Sequence, residues 1–321
     1  MKARPDGANE QAAKSSLHPQ QIIPNMTQRK LHLRPNLAAA GSVVQTQKLL
    51  AARVVIEDAM VVFVRTGRKT LRWPQGELVV EAGQAAAVAG GQAFDIVNEP
   101  DTQSGVFHAE WIAFDEAVPL QFAEHYGNAA ALGNAVLLQG FPGLQAAFDY
   151  ALATLVEPSS PELVVQAALH GVLACLHCEH IALTAVGRNV RLVHRLRRAI
   201  AAHPAEAWTA ERAAAQQYVS TATLRRHLAE EGLSFRSLLA DVRMMRALTL
   251  LQVSDWPVAR IAEEVGYESA SRFTARFRQR FGFLPTAVRG QKKTAVGNRC
   301  SGTYRGMSQR LIQGGKQNRD G

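Results

Sequence analysis

Two cysteines and two histidines lie within one short segment of the chain, and these side chains are common metal ligands. Cys175 and Cys178 are three residues apart, with His177 and His180 beside them. On a helix, groups at this spacing share one face and could hold one ion. The segment belongs to an apolar run, however, and free cysteine is a common buried residue. Two interpretations stay open: a metal or redox site, and core packing or a helix–helix contact.

A second pair of candidate ligands lies on a predicted strand. His108 and Glu110 alternate along residues 106–114 and therefore lie on the same side of that strand. Metal-binding enzymes of the cupin type use a His-x-His pair with a later Glu and His, a set that is missing here. The sequence also has no Gly-x-Ser-x-Gly nucleophile motif and no Gly-rich phosphate loop before a helix. We therefore expect no enzymatic activity, no cofactor and no metal.

The last third of the chain contains an internal repeat. Residues 213–220 are echoed by residues 261–268, so that Ala214 and Ala262 are 48 positions apart. Each copy predicts a short helix, a tight turn and a second helix, which is the plan of a helix-turn-helix unit. Gly266 suits the left-handed backbone that often ends a helix.

The second helix of each copy has an apolar root and a polar outer face. Phe273, Phe277 and Phe281 recur at every fourth position and predict a buried stripe, and Leu224 and Leu228 point inward in the first copy. Helices with such a root and an arginine border fit the major groove of DNA. The expected outer residues are Ala222, Thr223, Arg225 and Arg226 in the first copy and Ser271, Ala275 and Arg278 in the second, with Arg272, Arg276 and Arg280 along the flank.

Between the copies, Phe235–Leu251 predicts one long amphipathic helix that holds the two recognition helices apart. Two such helices on one face of DNA would reach major-groove segments about 34 Å apart. The alternative is an ordinary helical bundle with a basic outer face. The two copies are separated by one offset, both have capped helices, and their second helices end at Gly232 and Gly282. This repetition favours DNA binding over the helical bundle.

The elements in front of the repeat are of another kind. Short β-prone runs occur at 60–64, 77–80, 84–88, 94–98 and 106–114, separated by Gly and Pro turn signals. They predict an antiparallel sandwich or barrel with room for a small ligand. Periodic apolar faces predict helices over 144–156 and 163–184. The composition predicts a hinge at 187–189, a mobile arm over 1–45 and a disordered basic tail over 291–321.

Composition and charge agree with this division. The chain has 321 residues, 47 % of them apolar, which indicates two domains. Residues 188–290 hold 17 arginines, no lysine and 9 acidic residues, whereas residues 1–187 are net acidic. A basic back half suggests a polyanionic partner. Three cysteines suit a reducing cytoplasm, and the apolar runs are too interrupted for a membrane span, so we expect a cytoplasmic protein.

The helical third resembles the DNA-binding domain of the AraC/XylS family of bacterial transcription regulators. The match extends over about 100 residues. The residues that carry it are Trp208-Thr209, Val219-Ser220, Leu224, Arg226, Gly232-Leu233-Ser234-Phe235, Ile261-Ala262, Gly266-Tyr267, Ser271-Arg272-Phe273, Phe277, Phe281-Gly282, Pro285 and Arg289. Residues 74–114 are similar to the cupin-type sensory domain of the same family. The chain departs from the family at three positions. The family often has Phe at the position of Leu228 and a longer side chain at the position of Ala222, and simpler units have Gly at the position of Tyr218.

The resemblance implies an α+β protein with a cupin-like β-barrel and flanking helices, followed by an all-α domain with two helix-turn-helix units. It implies a sensory and dimerisation domain over 46–186 and a DNA-binding domain over 187–290. It places base-reading positions at Ala222, Arg225 and Arg226 in the first unit and at Ser271, Arg272, Thr274 and Ala275 in the second. Arg276 and Arg278 are the expected phosphate contacts.

The expected function is therefore that of a sequence-specific transcription regulator that binds double-stranded DNA. A small-molecule effector in the N-terminal domain, a homodimer and a contact with RNA polymerase are the further partners that the resemblance suggests. Two alternatives stay open: a cupin-type enzyme with a DNA-binding appendage, and an architectural protein that binds DNA without sequence preference.

Overall fold

The computed structural model describes residues 31–127, 129–184 and 191–289. Strands fill most of the first part and helices the last. The strands are β1 Leu31–Arg34, β2 Ala38–Gln45, β3 Leu49–Ile56, β4 Met60–Thr66, β5 Arg68–Trp73, β6 Gly76–Glu81, β7 Ala85–Val88, β8 Gln92–Glu99, β9 Phe107–Phe114, β10 Ala130–Ala131, β11 Ala135–Leu137 and β12 Ile181–Ala182. The helices are α1 Ala117–Tyr126, α2 Leu144–Val156, α3 Glu162–Cys178, α4 Arg191–Ala202, α5 Ala210–Gln216, α6 Thr221–Glu230, α7 Phe235–Val253, α8 Val258–Glu264 and α9 Ala270–Phe281, followed by a 3₁₀ turn over Pro285–Arg289.

Two antiparallel sheets form the first part. One has the strand order β1-β2-β9-β4-β7-β11 and the other the order β3-β8-β5-β6. Apolar side chains fill the space between them, with Leu71, Phe94 and Phe107 almost fully buried. The antiparallel sandwich or barrel predicted from the turn spacing is confirmed, and each of the five predicted runs forms a strand. Together with the helical last part, this confirms the α+β fold class.

The predicted N-terminal arm over 1–45 is wrong for residues 31–45. They form β1 and β2, and β2 pairs with β9 along its whole length, from Ala38 opposite Phe114 to Gln45 opposite Phe107. The sequence hides this strand because alanine and glycine have low β-propensity. A glycine is needed at position 41, since a Cβ there would lie 2.7 Å from the Trp111 ring.

Two helices cover the outer face of the larger sheet. The bounds of α2 are those predicted, and Phe148 on α2 and Leu169 on α3 are fully buried against the sheet. The prediction that α3 continues to residue 184 is wrong, because the helix ends at Cys178. His180 has a left-handed backbone with φ of 60°, and the Glu179 carboxylate accepts hydrogen bonds from loop N–H groups. The chain then pairs as β12 with β10.

The helical last part has two apolar centres. Leu196 on α4, Leu224 on α6 and Leu238 on α7 belong to the first. Phe273 and Phe277 on α9 belong to the second, which continues into the interior between the sheets. The predicted long helix between the repeats is confirmed as α7, which packs against β2 as well as against α4 and α9.

Three sequence predictions fall outside the described residues: the arm over residues 1–30, the hinge over 187–189 and the tail over 291–321. Within the ranges that the structure does describe, no helix is both long and apolar enough to cross a membrane.

Candidate nucleic-acid interface

The first helix-turn-helix unit consists of α5 and α6. The hydroxyl of Thr209 caps α5 by accepting the Arg212 N–H at 3.1 Å, and the hydroxyl of Ser220 caps α6 by accepting the Thr223 N–H at 3.0 Å. Both caps satisfy N–H groups that a helix start leaves without partners. Between the helices Tyr218 adopts a left-handed backbone with φ of 55°, an uncommon conformation for a bulky residue. The turn therefore has the geometry for which glycine is usual.

The second unit consists of α8 and α9 and repeats the first turn. Gly266 takes the left-handed position with φ of 79°, and the Tyr267 N–H donates to the Ala262 carbonyl at 2.8 Å. The same bond joins Val219 to Ala214 at 3.0 Å in the first unit. The structure thus confirms the repeat at an offset of 48 residues.

The second turn is one residue longer than the first, so the caps Ser220 and Ser269 are 49 residues apart. The Ser269 hydroxyl accepts the Arg272 N–H at 3.4 Å. Position for position, Leu224 and Leu228 on α6 then correspond to Phe273 and Phe277 on α9. All four side chains are almost completely buried.

These apolar roots turn the predicted recognition residues outward. Leu224 is 0 % and Leu228 is 1 % exposed, and the rings of Phe273, Phe277 and Phe281 follow one another at centroid distances of 5.7 and 4.7 Å. A side chain opposite a buried stripe must face solvent. The structure places in exposed positions Ala222, Arg225, Arg226, Ser271, Arg272, Ala275, Arg276 and Arg278, whereas Thr274 is half-buried at the edge.

The outward arginines have weak internal partners. Arg226 lies 4.0 Å from Glu230 in an exposed pair, an arrangement that contributes little to stability. Arg276 donates to the Gln279 side chain at 2.7 Å. Such guanidinium groups are free to exchange these contacts for phosphate oxygens or base edges.

The prediction that Arg280 belongs to this outer border is wrong. Its Nε donates to Asp241 on α7 at 2.8 Å, and its two terminal nitrogens donate to the carbonyls of Ala52 and Arg53 on β3, each at 2.8 Å. Arg280 sits one helical turn beyond Arg276, where the flank of α9 meets the β-sandwich. It therefore fastens the second recognition helix to β3.

A further arginine, absent from the sequence predictions, links the loop before the first unit to the turn of the second unit. Arg243 on α7 donates to the carbonyl of Pro204 at 2.8 Å, of Glu206 at 3.1 Å and of Gly266 at 3.4 Å. Arg243 also explains why the turn of the second unit has a glycine at position 266, because a Cβ there would lie 2.8 Å from the Arg243 Nη2 atom. No local spacing in the sequence indicates these long-range contacts.

A cluster of ionic groups links α4 to the β-sandwich. Arg197 lies 3.1 Å from Asp241 and 3.7 Å from Glu57, and Arg198 contacts Asp58 and Asp115. Both Glu57 carboxylate oxygens are buried and make no hydrogen bond to any described residue. Burial raises the pKa of Glu57 to about 7, because the nearby Arg197 only partly offsets the loss of hydration.

A cavity of about 260 Å³ lies between the strands and α7. Its walls are mainly apolar, with Leu71, Trp111 and Met245 among them. The charged residues of the lining are Lys69, Glu57, Asp58 and Arg246. Lys69 is partly buried, its Nζ donates to the Asn98 side chain at 3.0 Å, and loss of hydration lowers its pKa to about 8.

The other candidate ligands have ordinary surroundings. Cys175 is buried in α3 and Cys178 is exposed, and His108 lies 3.0 Å from the Ser42 hydroxyl. Glu110 accepts a hydrogen bond from Arg65 at 2.8 Å. No group of three or more metal-ligating side chains occurs among residues 31–127, 129–184 and 191–289.

Comparisons with known proteins match both parts of the chain. Residues 213–291 match the family model described as a helix-turn-helix domain. The chain is 30 % identical over 142 residues to the urease operon transcriptional activator of Escherichia coli, covering 42 % of this chain and 47 % of that protein. It is 35 % identical over 97 residues to the transcriptional regulator GadX of Escherichia coli K12, covering 30 % of this chain and 35 % of GadX. The chain thus spans less than half of each of these relatives.

Among solved structures, apo ToxT from Vibrio cholerae aligns with 78 % of this chain and 95 % of its own, at 11 % identity and a TM-score of 0.58. Wild-type ToxT with a bound unsaturated fatty acid aligns with 79 % and 95 %, at 12 % identity and a TM-score of 0.56. At these identities the likeness concerns the fold.

The last part of the chain is therefore a helix-turn-helix domain of the type found in transcription regulators. The resemblance to the AraC/XylS family is confirmed over this domain, which follows a sheet-rich N-terminal part in a fold like that of ToxT.

Proposed function

We propose that this protein is a transcription regulator that binds double-stranded DNA in a sequence-specific manner through α6 and α9. The observation that carries the proposal is the pair of matched units, each with a capped recognition helix, a buried root and exposed arginines. Arg225, Arg226 and Arg272 would donate to base edges, most naturally guanine, or to nearby phosphates. Arg276 and Arg278 would hold phosphates, which position the protein without specifying sequence.

The similarity to transcription regulators supports a role without catalysis. A cupin-type enzyme with a DNA-binding appendage is the alternative, and the chain lacks the His-x-His set that such an enzyme would use at its metal. The pairing of His108 with Ser42 and of Glu110 with Arg65 supports a structural role for both residues. The proposal includes a homodimer and a contact with RNA polymerase, as the resemblance to the family suggests, in a cytoplasmic protein.

A genome-wide binding profile of the full chain tests this function. We expect discrete peaks at promoters, because small and polar side chains stand between the arginines on both recognition faces. In vitro, affinity should fall steeply with salt, since arginine–phosphate contacts release counterions. Broad occupancy would instead support an architectural protein, and a flat salt response would contradict the docking of both helices.

We propose in addition that a small-molecule effector occupies the cavity between the strands and α7. Lys69 supports an anionic ligand, because its pKa of about 8 leaves the ammonium mostly protonated at neutral pH. The apolar walls favour a hydrocarbon body, and the volume of about 260 Å³ favours a small one. The fatty acid bound to ToxT agrees with this ligand class. Because α7 joins both helix-turn-helix units, a ligand against it could bias how they bind DNA.

Calorimetric titration with unsaturated fatty acids of increasing length tests the effector proposal, with the corresponding alcohols as neutral controls. We expect the acids to bind more tightly than the alcohols, and Lys69→Met to remove that difference. Equal binding of acid and alcohol would contradict the role of Lys69. A ligand that binds without altering DNA affinity would contradict effector control.

A further inference from the structure

One residue of the β-sandwich has a strained backbone beside the second recognition helix. The pairing of β3 with β8 shifts register between Ala51 and Val54, which marks a β-bulge. Within it Arg53 has a left-handed conformation with φ of 52°. For a residue with a Cβ this conformation costs about 1–2 kcal/mol. Bulges commonly re-aim a side chain, and strain of this kind is often retained at functional sites.

The bulge is fixed from both sides. The Arg53 N–H donates to the Asp95 carboxylate at 2.7 Å, and the Arg53 carbonyl accepts from Arg280 at 2.8 Å. A second Arg280 nitrogen donates to the Ala52 carbonyl at 2.8 Å. Because Arg280 belongs to α9, the recognition helix itself holds the bulge in place.

The backbone is held in this way while the Arg53 side chain stays exposed. It lines a cleft of about 490 Å³ together with Arg276 and Gln279 of α9. The residues around this cleft include four arginines and one aspartate, and that aspartate, Asp241, already binds two of the arginines, Arg197 and Arg280. Within the described part of the chain, neither Arg53 nor Arg276 has a carboxylate on its guanidinium. The cleft therefore presents two uncompensated cations.

The position of this cleft relative to α9 indicates what would occupy it. Arg276 and Arg280 are four residues apart and lie one above the other on one flank of the helix. Ser271 and Ala275 face away from the buried root, toward the expected bases. A helix in the major groove has a sugar–phosphate strand along each flank, so the flank with Arg276 faces one of these strands.

We propose that Arg53 binds the DNA phosphate backbone beside Arg276, so that the DNA interface extends from α9 onto the β-sandwich. This inference rests on the proposed DNA-binding function. It assigns to the N-terminal domain a direct share of DNA affinity. A movement of β3 relative to α9 would remove that share without any change in the recognition helices.

Fluorescence anisotropy with a duplex selected by the wild-type chain tests the proposal in a salt series. Arg53→Gly removes the side chain and suits the left-handed backbone, so the variant should fold at least as stably as the wild type. We expect it to lower affinity roughly threefold to tenfold and to reduce the slope of log K against log salt by about 0.9. Arg53→Lys keeps the charge and should retain most of the slope.

Arg68→Ala is the matched control, because Arg68 is an exposed arginine of the same sandwich that pairs with Glu81 at 2.8 Å. It should change neither affinity nor slope. If Arg53→Gly has the same DNA affinity and the same salt slope as the wild type, the inference is overturned. Arg272→Ala separates this failure from failure of the proposed function: if it weakens binding while Arg53→Gly does not, only the role of Arg53 is wrong. If neither matters, the DNA-binding mode of α9 is wrong as well.

Discussion

The two helix-turn-helix units share a local plan and differ in what lies behind them. In both, a serine cap begins the recognition helix, and a left-handed residue forms the turn. Among the described residues, the core behind α6, which contains Leu224 and Leu228, is built from residues 192–242 of the same helical domain. Behind α9 lies the β-sandwich, which Arg280 binds directly. A change in the sandwich therefore reaches the second unit through α9 itself and the first unit only through intervening helices.

The largest difference concerns the apolar roots. Phe277 is completely buried and lies between Phe273 and Phe281, at 5.7 and 4.7 Å. Phe277→Ala should lower the free energy of unfolding by about 3–5 kcal/mol, because it empties an aromatic core. Leu228→Ala, the matched change in α6, should cost about 2–3 kcal/mol, at the lower end of the range for aliphatic residues. Urea denaturation followed by circular dichroism compares them, and a larger loss for Leu228→Ala would contradict the comparison.

The ionic cluster that links α4 to the β-sandwich should make stability depend on pH. Arg197, Arg198, Asp58 and Asp241 surround Glu57, and the His194 ring contacts the Glu57 carbonyl. A pKa raised from 4.5 to about 7 means that folding favours the protonated carboxyl. The contribution of Glu57 to the free energy of unfolding is therefore fully present below pH 4.5 and is lost as the pH rises toward 7.

Glu57→Gln isolates this effect, because the amide cannot ionise. The variant and the wild type should be equally stable below pH 4.5, and the variant should be more stable by about 3 kcal/mol at pH 8. Urea denaturation at half-unit pH intervals measures the difference. A difference that does not change with pH would contradict the raised pKa of this buried carboxyl group.

Arg280 and Arg278 lie two residues apart on α9 and should respond in opposite ways. Arg280→Ala removes one of the two arginine donors to Asp241 and the Arg280 hydrogen bonds to two carbonyls, and it should cost about 1.5–3 kcal/mol of stability, the scale of a charged hydrogen bond. Arg278→Ala removes an exposed side chain and should leave stability within about 0.5 kcal/mol while weakening DNA binding. Thermal unfolding and anisotropy distinguish the two. Equal stability of both variants would show that Arg280 does not fasten α9.

The smallest expected effect lies in the turns. Tyr218 is 96 % exposed and left-handed, so Tyr218→Gly relieves strain without loss of packing and should stabilise the chain by about 1 kcal/mol. Gly266→Ala should act in the opposite direction, since its Cβ would meet the Arg243 guanidinium at 2.8 Å. Differential scanning calorimetry compares both variants. Destabilisation by Tyr218→Gly would mean that the Tyr218 ring has a role in the turn.

Local features of the sequence predicted the elements that carry the interface. The phenylalanine stripe of α9, the serine caps and the repeat depend on residues within one or two helical turns, where spacing determines which side chains share a face. The strand β2 is missed by the sequence because its alanines and Gly41 have low β-propensity, and Gly41 is required by the Trp111 ring, which lies far away in sequence.

Local sequence likewise does not reveal the long-range contacts that connect the recognition helices to the rest of the fold. Arg243, Arg280 and Glu57 act on partners brought together by the fold, such as Arg280 on Ala52 and Arg53 of β3. An arginine on a helix flank has the same appearance in sequence whether it faces DNA or a neighbouring sheet. The sequence therefore predicts the exposed position of Arg276 correctly and that of Arg280 wrongly.

Selection of binding sites from a random duplex pool tests the central claim most directly, with the wild-type chain, Arg226→Ala and Arg272→Ala. The account predicts a wild-type motif with two segments whose centres are about one helical turn of DNA apart. Arg226→Ala should relax the preference in one segment and Arg272→Ala in the other. A pool without a motif, or one motif unchanged in both variants, would contradict sequence reading by α6 and α9.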